Sequence, residues 1–565
     1  MSDELKPDEL LNKIDFDPVI EPGEPGEPHK ASESNDWMST SVQIRPGMYC
    51  YAAKAESVET LGLPNAREWN PLDDDWKLPD NWQEIIHNGL KERLEKFRTF
   101  KVFMDICVRC GACADKCHFF LGTGDPKNMP VLRAELLRSV YRNDFSTAGK
   151  IMKKIPGGQA LLGARELTMD VLKEWWYYFF QCTECRRCSV FCPYGIDTAE
   201  ITIMAREIFN LLGLNIDWIA TPVSNCFKTG NHLGIQPHAF KDMLDFFVED
   251  IEDVTGVDCT PQFHKKGADI LFITPSGDVF ADPGTYTCEG YMILFKYLKD
   301  KYGLDVTWST YASEGGNFGF FTSHETMKRL NAKMYAEAKR LGVKWILGGE
   351  CGHMWRVIHQ YMDTMNGPAD FLEEPVNPIT GTKFENAKST KMVHISEFTA
   401  DLIKHGKLEF DKSRNANRIM TFHDSCNPSR GMGILDEPRY IIKNVCDNFY
   451  EMPLNTIREQ TFCCGSGAGL NAGENIELRM AGALPRANAV KYVHEKFGVN
   501  SLGTICAIDR AALPTMCEYW VPEVEVYGIT ELVGNALILP GEKKRVEDLR
   551  FEPLPGCEEE VEEDE

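Results

Sequence analysis

Two runs of four cysteines constrain this chain more than any other feature. Cys107, Cys110, Cys113 and Cys117 are spaced C-x2-C-x2-C-x3-C, and Cys182, Cys185, Cys188 and Cys192 repeat that spacing, with Pro193 directly after the last. Two-residue gaps let a tight loop aim three sulfurs at one centre while its amide groups face inward. Such a run supplies three ligands to one cubane 4Fe–4S cluster, and its fourth cysteine serves the cluster of the other run. The expected ligand sets are Cys107, Cys110, Cys113 and Cys192 for one cubane, and Cys182, Cys185, Cys188 and Cys117 for the other. A pair of structural zinc sites is the competing explanation. Zinc does not usually employ four cysteines at this spacing, still less twice with a terminal Cys-Pro. The 64 residues between Cys117 and Cys182 exceed what a minimal ferredoxin uses. Inserted helices are expected there, folded back as a hairpin if the clusters are to be neighbours.

Composition narrows the setting. The chain has 565 residues, enough for two to four domains, and its 43% apolar and 26% charged content is that of a globular protein. Twenty cysteines are many for such a length. The opening MSDELKPDELL has no basic start followed by an apolar stretch, so no secretory signal is expected. Clustered cysteines then read as metal ligands or redox groups rather than disulfides. The most apolar run, Trp175 to Phe180, is far short of the ~20 residues of a membrane helix. The expected location is cytoplasmic, peripheral on the inner face of the membrane through partner subunits. The net charge of −24, with seven of the last eight residues acidic, disfavours nucleic acid as a partner. Acidic surroundings are also expected to favour low cluster potentials.

Six segments follow from the pattern along the chain. Residues 1–80 are acidic and Pro-rich, then irregular, and read as a flexible and extended N-terminal arm. Residues 81–220 read as a helical ferredoxin-type domain, with periodic apolar positions from Trp82, around Leu132 to Tyr141 and Leu162 to Tyr178, and over 198–215. Residues 221–262 read as a connector with scattered Pro, Gly and Asn. After them short apolar strands alternate with helices, the grammar of an α/β fold. Two related lobes are expected, 263–400 and 401–540, followed by an acidic C-terminal tail at 541–565. Ile270 to Gly277 in the first lobe lies over Ile419 to Cys426 in the second, Gly315 and Gly316 over Cys463 and Cys464, and Cys351 near Cys506.

The second lobe carries Cys426, then Cys463-Cys464-Gly465, then Cys506. This pattern resembles the CCG domain of heterodisulfide reductases. Two ferredoxin motifs before two CCG units resemble the fused HdrD-like subunits of that family, and within it the DsrK type of the sulfate-reduction-associated DsrMKJOP complex. The resemblance covers roughly residues 85 to 530. It implies a noncubane 4Fe–4S cluster that cleaves a disulfide, held by Cys426, Cys463, Cys464 and Cys506. The family pattern has a further cysteine near Cys506 where this chain has Asp509. Either that carboxylate ligates iron or one coordination position is left to solvent or substrate. The first lobe lacks the cysteine pair, so no second noncubane cluster is expected there. The resemblance also implies a transmembrane b-type cytochrome partner (DsrM-like), other complex subunits, and a small protein substrate (DsrC-like) with a disulfide or trisulfide.

Other residues have bland readings beside the functional ones. His423, in HDSC, is placed to give a proton to a departing thiolate, but His423-Asp424 more often closes a strand-end turn. His353 beside Cys351 is read as structural. Gly465, Gly467 and Gly469 read as a loop that lets backbone approach a cluster. Of the cysteines outside the motifs, Cys351 alone is expected to face the same cleft as Cys506. The leading function is a catalytic thiol–disulfide oxidoreductase subunit. The alternative is an electron-transfer subunit of a flavin-dependent glycolate, lactate or glycerol-3-phosphate dehydrogenase, in which this chain only conducts electrons.

Overall fold

The computed structural model describes residues 78–557 except 213, 215–221, 224, 227–228, 314–315 and 472–474. The N-terminal arm up to 77, with Cys50, the acidic residues 558–565 and Gly315 lie outside the described residues. The chain divides into two compact units. The first holds the described residues up to 214 together with Phe320–His324 and Phe462–Ala489; the second holds the rest.

The first unit is helical. Trp82–Lys96 buries Ile86, Gly89 and Leu90 and breaks at an extended Phe97, after which Arg98–Asp105 leads into the first cysteine run. Pro130 opens the helix Pro130–Asp144, where a missing N–H costs nothing. Thr168 caps Met169–Phe179, and Asp197 caps Thr198–Leu211 by accepting from the amide of Ala199. The hairpin expected between the two runs is present. Trp175 on Met169–Phe179 donates through its indole N–H to the carbonyl of Leu136, 2.9 Å away on Pro130–Asp144.

The second unit contains two parallel sheets. One is formed by β1 (Gln262–Phe263), β2 (Ile270–Ile273), β3 (Val306–Trp308), β4 (Trp345–Gly348) and β5 (Met392–His394) in the order β1-β3-β2-β4-β5. The other is formed by β6 (Ile419–Phe422), β7 (Asn448–Phe449), β8 (Ser501–Thr504) and β9 (Glu525–Gly528) in the order β7-β6-β8-β9. Leaving β1 aside, the two orders are the same, with β2 corresponding to β6 and β4 to β8. This is the pseudo-repeat read from the sequence. Central strands such as β2, β4 and β8 are buried throughout, as parallel strands covered on both faces must be.

Two segments differ from the sequence reading. The connector contains a 19-residue helix, Pro237–Thr255. Its Phe240, Leu244, Phe247 and Ile251 join the core of the first lobe, and Gly256 ends it in the left-handed conformation. The described part of the acidic tail, 541–557, packs onto the second unit. Leu549 and Leu554 are buried, and Asp548 pairs with the buried guanidinium of Arg418.

The lobes meet with little side chain between them. A Cβ on Gly290, in the helix Thr285–Tyr302, would lie 2.3 Å from the carbonyl oxygen of Thr530, and one on Gly528 would lie 2.1 Å from Thr287 Oγ1. Glu350, at the end of β4, accepts from the amide and hydroxyl of Thr530 at 2.8 and 2.6 Å. Backbone carbonyls cannot swing aside as a side chain can. Gly290→Ala is therefore expected to destabilise the second unit by about 1–3 kcal/mol, read as a lowered melting midpoint of about 2–4 °C per kcal/mol.

Candidate metal centres

The first cysteine run sits in a loop whose backbone is left-handed on either side of Cys110, at Arg109 (φ 56°) and Gly111 (φ 80°). The second run matches it at Glu184 (φ 55°) and Arg186 (φ 62°), which flank Cys185. Glycine adopts this conformation freely, whereas other residues lose on the order of 1 kcal/mol. Each of the three non-glycine residues is anchored by an ion pair: Arg109 to Glu135 at 3.0 Å, Glu184 to Arg206 at 3.2 Å, and Arg186 to Asp197 at 2.6 Å. The surroundings thus hold a turn that the local chain disfavours.

The turns bring the sulfurs together in two pockets. Cys107, Cys110, Cys113 and Cys192 line one, and Cys182, Cys185, Cys188 and Cys117 line the other. Each pocket takes its fourth cysteine from the opposite run, and Cys188 borders both. None of these cysteines is in a disulfide. The amide of Glu184 points at Cys182 Sγ and that of Ile196 at Cys192 Sγ, each at 3.4 Å.

Electrostatics suit a polycationic guest. Burial pushes the Cys113 thiol up to about 12, and Cys107 and Cys192 add to the rise. Burial also pushes Cys188 up, with Cys113 and Cys182 contributing. Thiols raised in this way, as Cys113 and Cys188 are, become thiolates once a multivalent cation is among them. At Cys117 burial acts upward but is outweighed by Arg133 and His118, so that thiol moves down. The donor set and the anchored turns fit two cubanes.

The Cys463-Cys464 pair belongs to the same unit. Its segment is held by close backbone packing. A Cβ on Gly122 would fall 1.7 Å from the carbonyl oxygen of Ala481, and one on Gly482 would fall 2.5 Å from the ring of Phe119. Gly465, in the left-handed region at φ 86°, has no room for a Cβ beside Arg479 O, 2.6 Å away. His118 lies in this packing. Its Nδ1–H donates to the carbonyl of Gly482 at 2.8 Å, and its Nε2 is 2.9 Å from Thr183 Oγ1. That hydroxyl is 3.4 Å from Cys463 Sγ. Ligand atoms of His118, Cys185 and Cys463 all lie within 4.8 Å of one another. Sequence reasoning passed over His118; the available signal was a histidine after Cys117 where proline follows Cys192.

Cys426 and Cys506 belong to the second unit. Cys426 follows β6 and opens the π-helical turn Asn427–Gly431, while Cys506 follows β8. Adjacent parallel strands thus deliver both at their carboxyl ends, where open α/β sheets form their crevices. Cys351 follows the equivalent strand β4, and the next amide, Gly352 N–H, donates to Cys506 Sγ at 3.3 Å. Burial, then the Asp509 carboxylate, pushes the Cys506 thiol up. Asp509 Oδ2 accepts from Thr504 Oγ1 at 3.1 Å and lies 3.4 Å from His423 Nε2. His423 and Asp509 are thus brought together. Asp424 has a structural role, taking both arms of Arg439 at 2.7 Å and the amide of Arg458. His353 is buried beside Cys351.

A family model described as a 4Fe-4S dicluster domain matches residues 103–196, and one described as a cysteine-rich domain (CCG) matches 420–497. The chain is 49% identical over 535 residues to the Hdr-like menaquinol oxidoreductase iron-sulfur subunit of Archaeoglobus profundus, covering 92% of this chain and 95% of that relative. It is 52% identical over 497 residues to iron-sulfur subunit 2 of the same kind from Archaeoglobus fulgidus, covering 85% and 88%. The HdrD protein of Methanosarcina mazei, a component of its dihydromethanophenazine:CoB–CoM heterodisulfide reductase, is 25% identical over 378 residues, covering 66% and 80%. No solved structure matches. Among the described residues no helix is long and apolar enough to cross a membrane. With half its residues shared along nearly the whole length of the Archaeoglobus relatives, the chain belongs to the HdrD-like family of Hdr-like menaquinol oxidoreductase iron–sulfur subunits.

Proposed function

We propose that this chain is the subunit in which electrons from a quinol-linked membrane partner reach a disulfide. The observation that carries the reading is the place of Cys463, alongside Cys185 and His118 within one compact unit. The first-run pocket adjoins the second through Cys188, and the second adjoins the Cys-Cys-Gly pair through Cys185. When bound, the clusters supply one-electron transfers along that path. These adjacencies support the order first run, second run, then cysteine pair. The first run is the outer end, since Cys110 is exposed while Cys117, Cys463 and Cys464 are buried.

The terminal ligand set remains the one implied by the family, Cys426, Cys463, Cys464 and Cys506, forming a noncubane site. Balance requires that a quinol gives up two electrons and two protons and that a disulfide takes up the same to give two thiols. The names of the Archaeoglobus relatives point to menaquinol as the donor. A b-type cytochrome of the DsrM kind would pass its electrons on, with this chain peripheral on the inner membrane face. A DsrC-like protein would be the acceptor, its disulfide taking the two electrons of one quinol, or its trisulfide taking four electrons and four protons from two quinols to give two thiols and hydrogen sulfide, placing the reaction in dissimilatory sulfur metabolism.

Two experiments test this. In iron analysis and paramagnetic resonance, Cys192→Ala is expected to abolish the same cubane signal as Cys107→Ala, and Cys117→Ala the same one as Cys182→Ala. Loss following the run rather than the pocket would refute the exchange of fourth ligands. Cys463→Ser is expected to retain both cubanes yet lower turnover of a disulfide-bearing partner protein by at least about 100-fold, the upper end of what disturbing a metal site's immediate surroundings costs. If the reduced native protein leaves disulfides untouched and instead relays electrons from a flavoprotein, it is a conduit and the catalytic reading fails.

A further inference from the structure

The whole chain is strongly acidic, but the charge facing the two cysteine pockets has the opposite sign. Arg133 and Arg138 lie five residues apart on the helix Pro130–Asp144, at 1% and 2% exposure. Arg133 lines the pocket of Cys117, Cys182, Cys185 and Cys188, and Arg138 lines that of Cys107, Cys110, Cys113 and Cys192. Four other cations around the pockets are neutralised by ion pairs: Lys116 with Asp115, Arg186 with Asp197, Arg206 with Glu184, and Arg109 with Glu135. Among the described residues no carboxylate comes within ion-pair distance of Arg133 or Arg138. Arg133 Nη2 donates to the neutral amide oxygen of Asn128 at 2.6 Å, and Arg138 Nε and Nη2 donate to the carbonyl of Phe103 at 3.3 and 3.2 Å. Arg138 Nη1 is buried with no hydrogen-bond partner among the described residues.

A buried guanidinium without an anion is costly, and the protein places two of them. The carboxylates that act on them from farther off are engaged elsewhere, Asp125 by Tyr178 and the Lys127 amide and Glu135 by Arg109 and Arg142, so the anionic groups each pocket sets before its arginine are the cysteine sulfurs. Cys117, Cys182, Cys185 and Cys188 line the pocket that Arg133 faces, and Cys107, Cys110, Cys113 and Cys192 the one that Arg138 faces. A cubane held by four thiolates is anionic and gains further negative charge on reduction, so a fixed cation beside it favours the reduced state.

We propose that Arg133 and Arg138 are the fixed charges that hold up the reduction potentials of the two cubanes, Arg133 acting on the cluster of the second run and Arg138 on that of the first. The inference rests on the reading of both runs as cubane sites. The pocket before Arg138 opens to solvent at the exposed Cys110, which screens that charge, so the effect of Arg133 is the larger. The second-run cluster then has the higher potential, and electrons fall from the outer cluster toward the one beside Cys463. Both arginines are positioning residues that act on the electron through the cluster.

The test is a potentiometric titration of the anaerobically purified, iron-replete full chain, followed by paramagnetic resonance. In the native protein two reduction waves are expected. Arg133→Met is expected to move one wave to lower potential, lowering the reduced-to-oxidised ratio at a fixed ambient potential at least tenfold, which is about 59 mV for one electron. Arg138→Met is expected to move the other wave by less. Arg133→Lys should restore most of the shift. Asn128→Asp, which sets a carboxylate against Arg133 with almost no change of shape, should reproduce the Arg133→Met shift even if the methionine variant fails to fold. Unmoved waves in iron-replete variants, or both arginines acting on one wave, would overturn the proposal while leaving the cubanes in place. A native protein without two cubane waves would remove the underlying reading as well.

Discussion

The approach of the helix His118–Thr123 to the segment 462–489 is the contact on which the arrangement of cysteines in the first unit depends. It is made without side chains at its closest points: Gly122 faces the carbonyl of Ala481, and Gly482 faces the ring of Phe119. Any larger residue at either position would drive the two backbones apart. Because they touch, His118 can bond to the Gly482 carbonyl and Cys463 can stand within 4.8 Å of Cys185. Electron tunnelling falls steeply with distance, so on the proposed path a glycine with no chemistry of its own determines how near the cysteine pair stands to the second run.

The second unit solves a different problem. Two parallel sheets of matching strand order present the residues after β2, β4, β6 and β8 from corresponding strand ends. The two lobes share this strand-end geometry but not its cysteines. Cys426 and Cys506 remain in the second lobe, while Cys351 in the first now neighbours the amide that donates to Cys506. Lobe-to-lobe contact through Gly290, Gly528 and Glu350 fixes that cross-lobe bond.

Much of this was legible in the amino-acid order because metal ligation and strand burial are local signals. Eight cysteines at fixed gaps define two loops whatever the rest of the chain does, and runs such as Ile270–Ile273 and Ile419–Phe422 announce buried parallel strands. The helix Pro237–Thr255 was also there to be read, with proline at its start and apolar residues three and four apart, but flanking Pro, Gly and Asn masked it. The packed stretch to 557 was hidden by net charge, since a run of acidic residues reads as solvated until a buried Arg418 is seen to need Asp548. His118, Arg133 and Arg138 carried no motif. Their meaning comes from what lies opposite them after folding, and composition pointed to acidic surroundings where the pockets in fact face buried cations.

The discontinuity of the first unit sets a rule for taking this protein apart. A fragment ending at the close of the helix Thr198–Leu211 would retain all eight ferredoxin cysteines but lack 462–489, exposing Phe119 and removing the acceptor of the His118 proton. Conversely, a fragment beginning after that helix would carry Cys463 and Cys464 on a strip severed from its seat. Neither half is a self-contained module, so a gene split in this region would need its products to assemble during folding. The two cysteine loops and the Cys463-Cys464 pair are therefore inherited as one object, although they are written in distant parts of the chain.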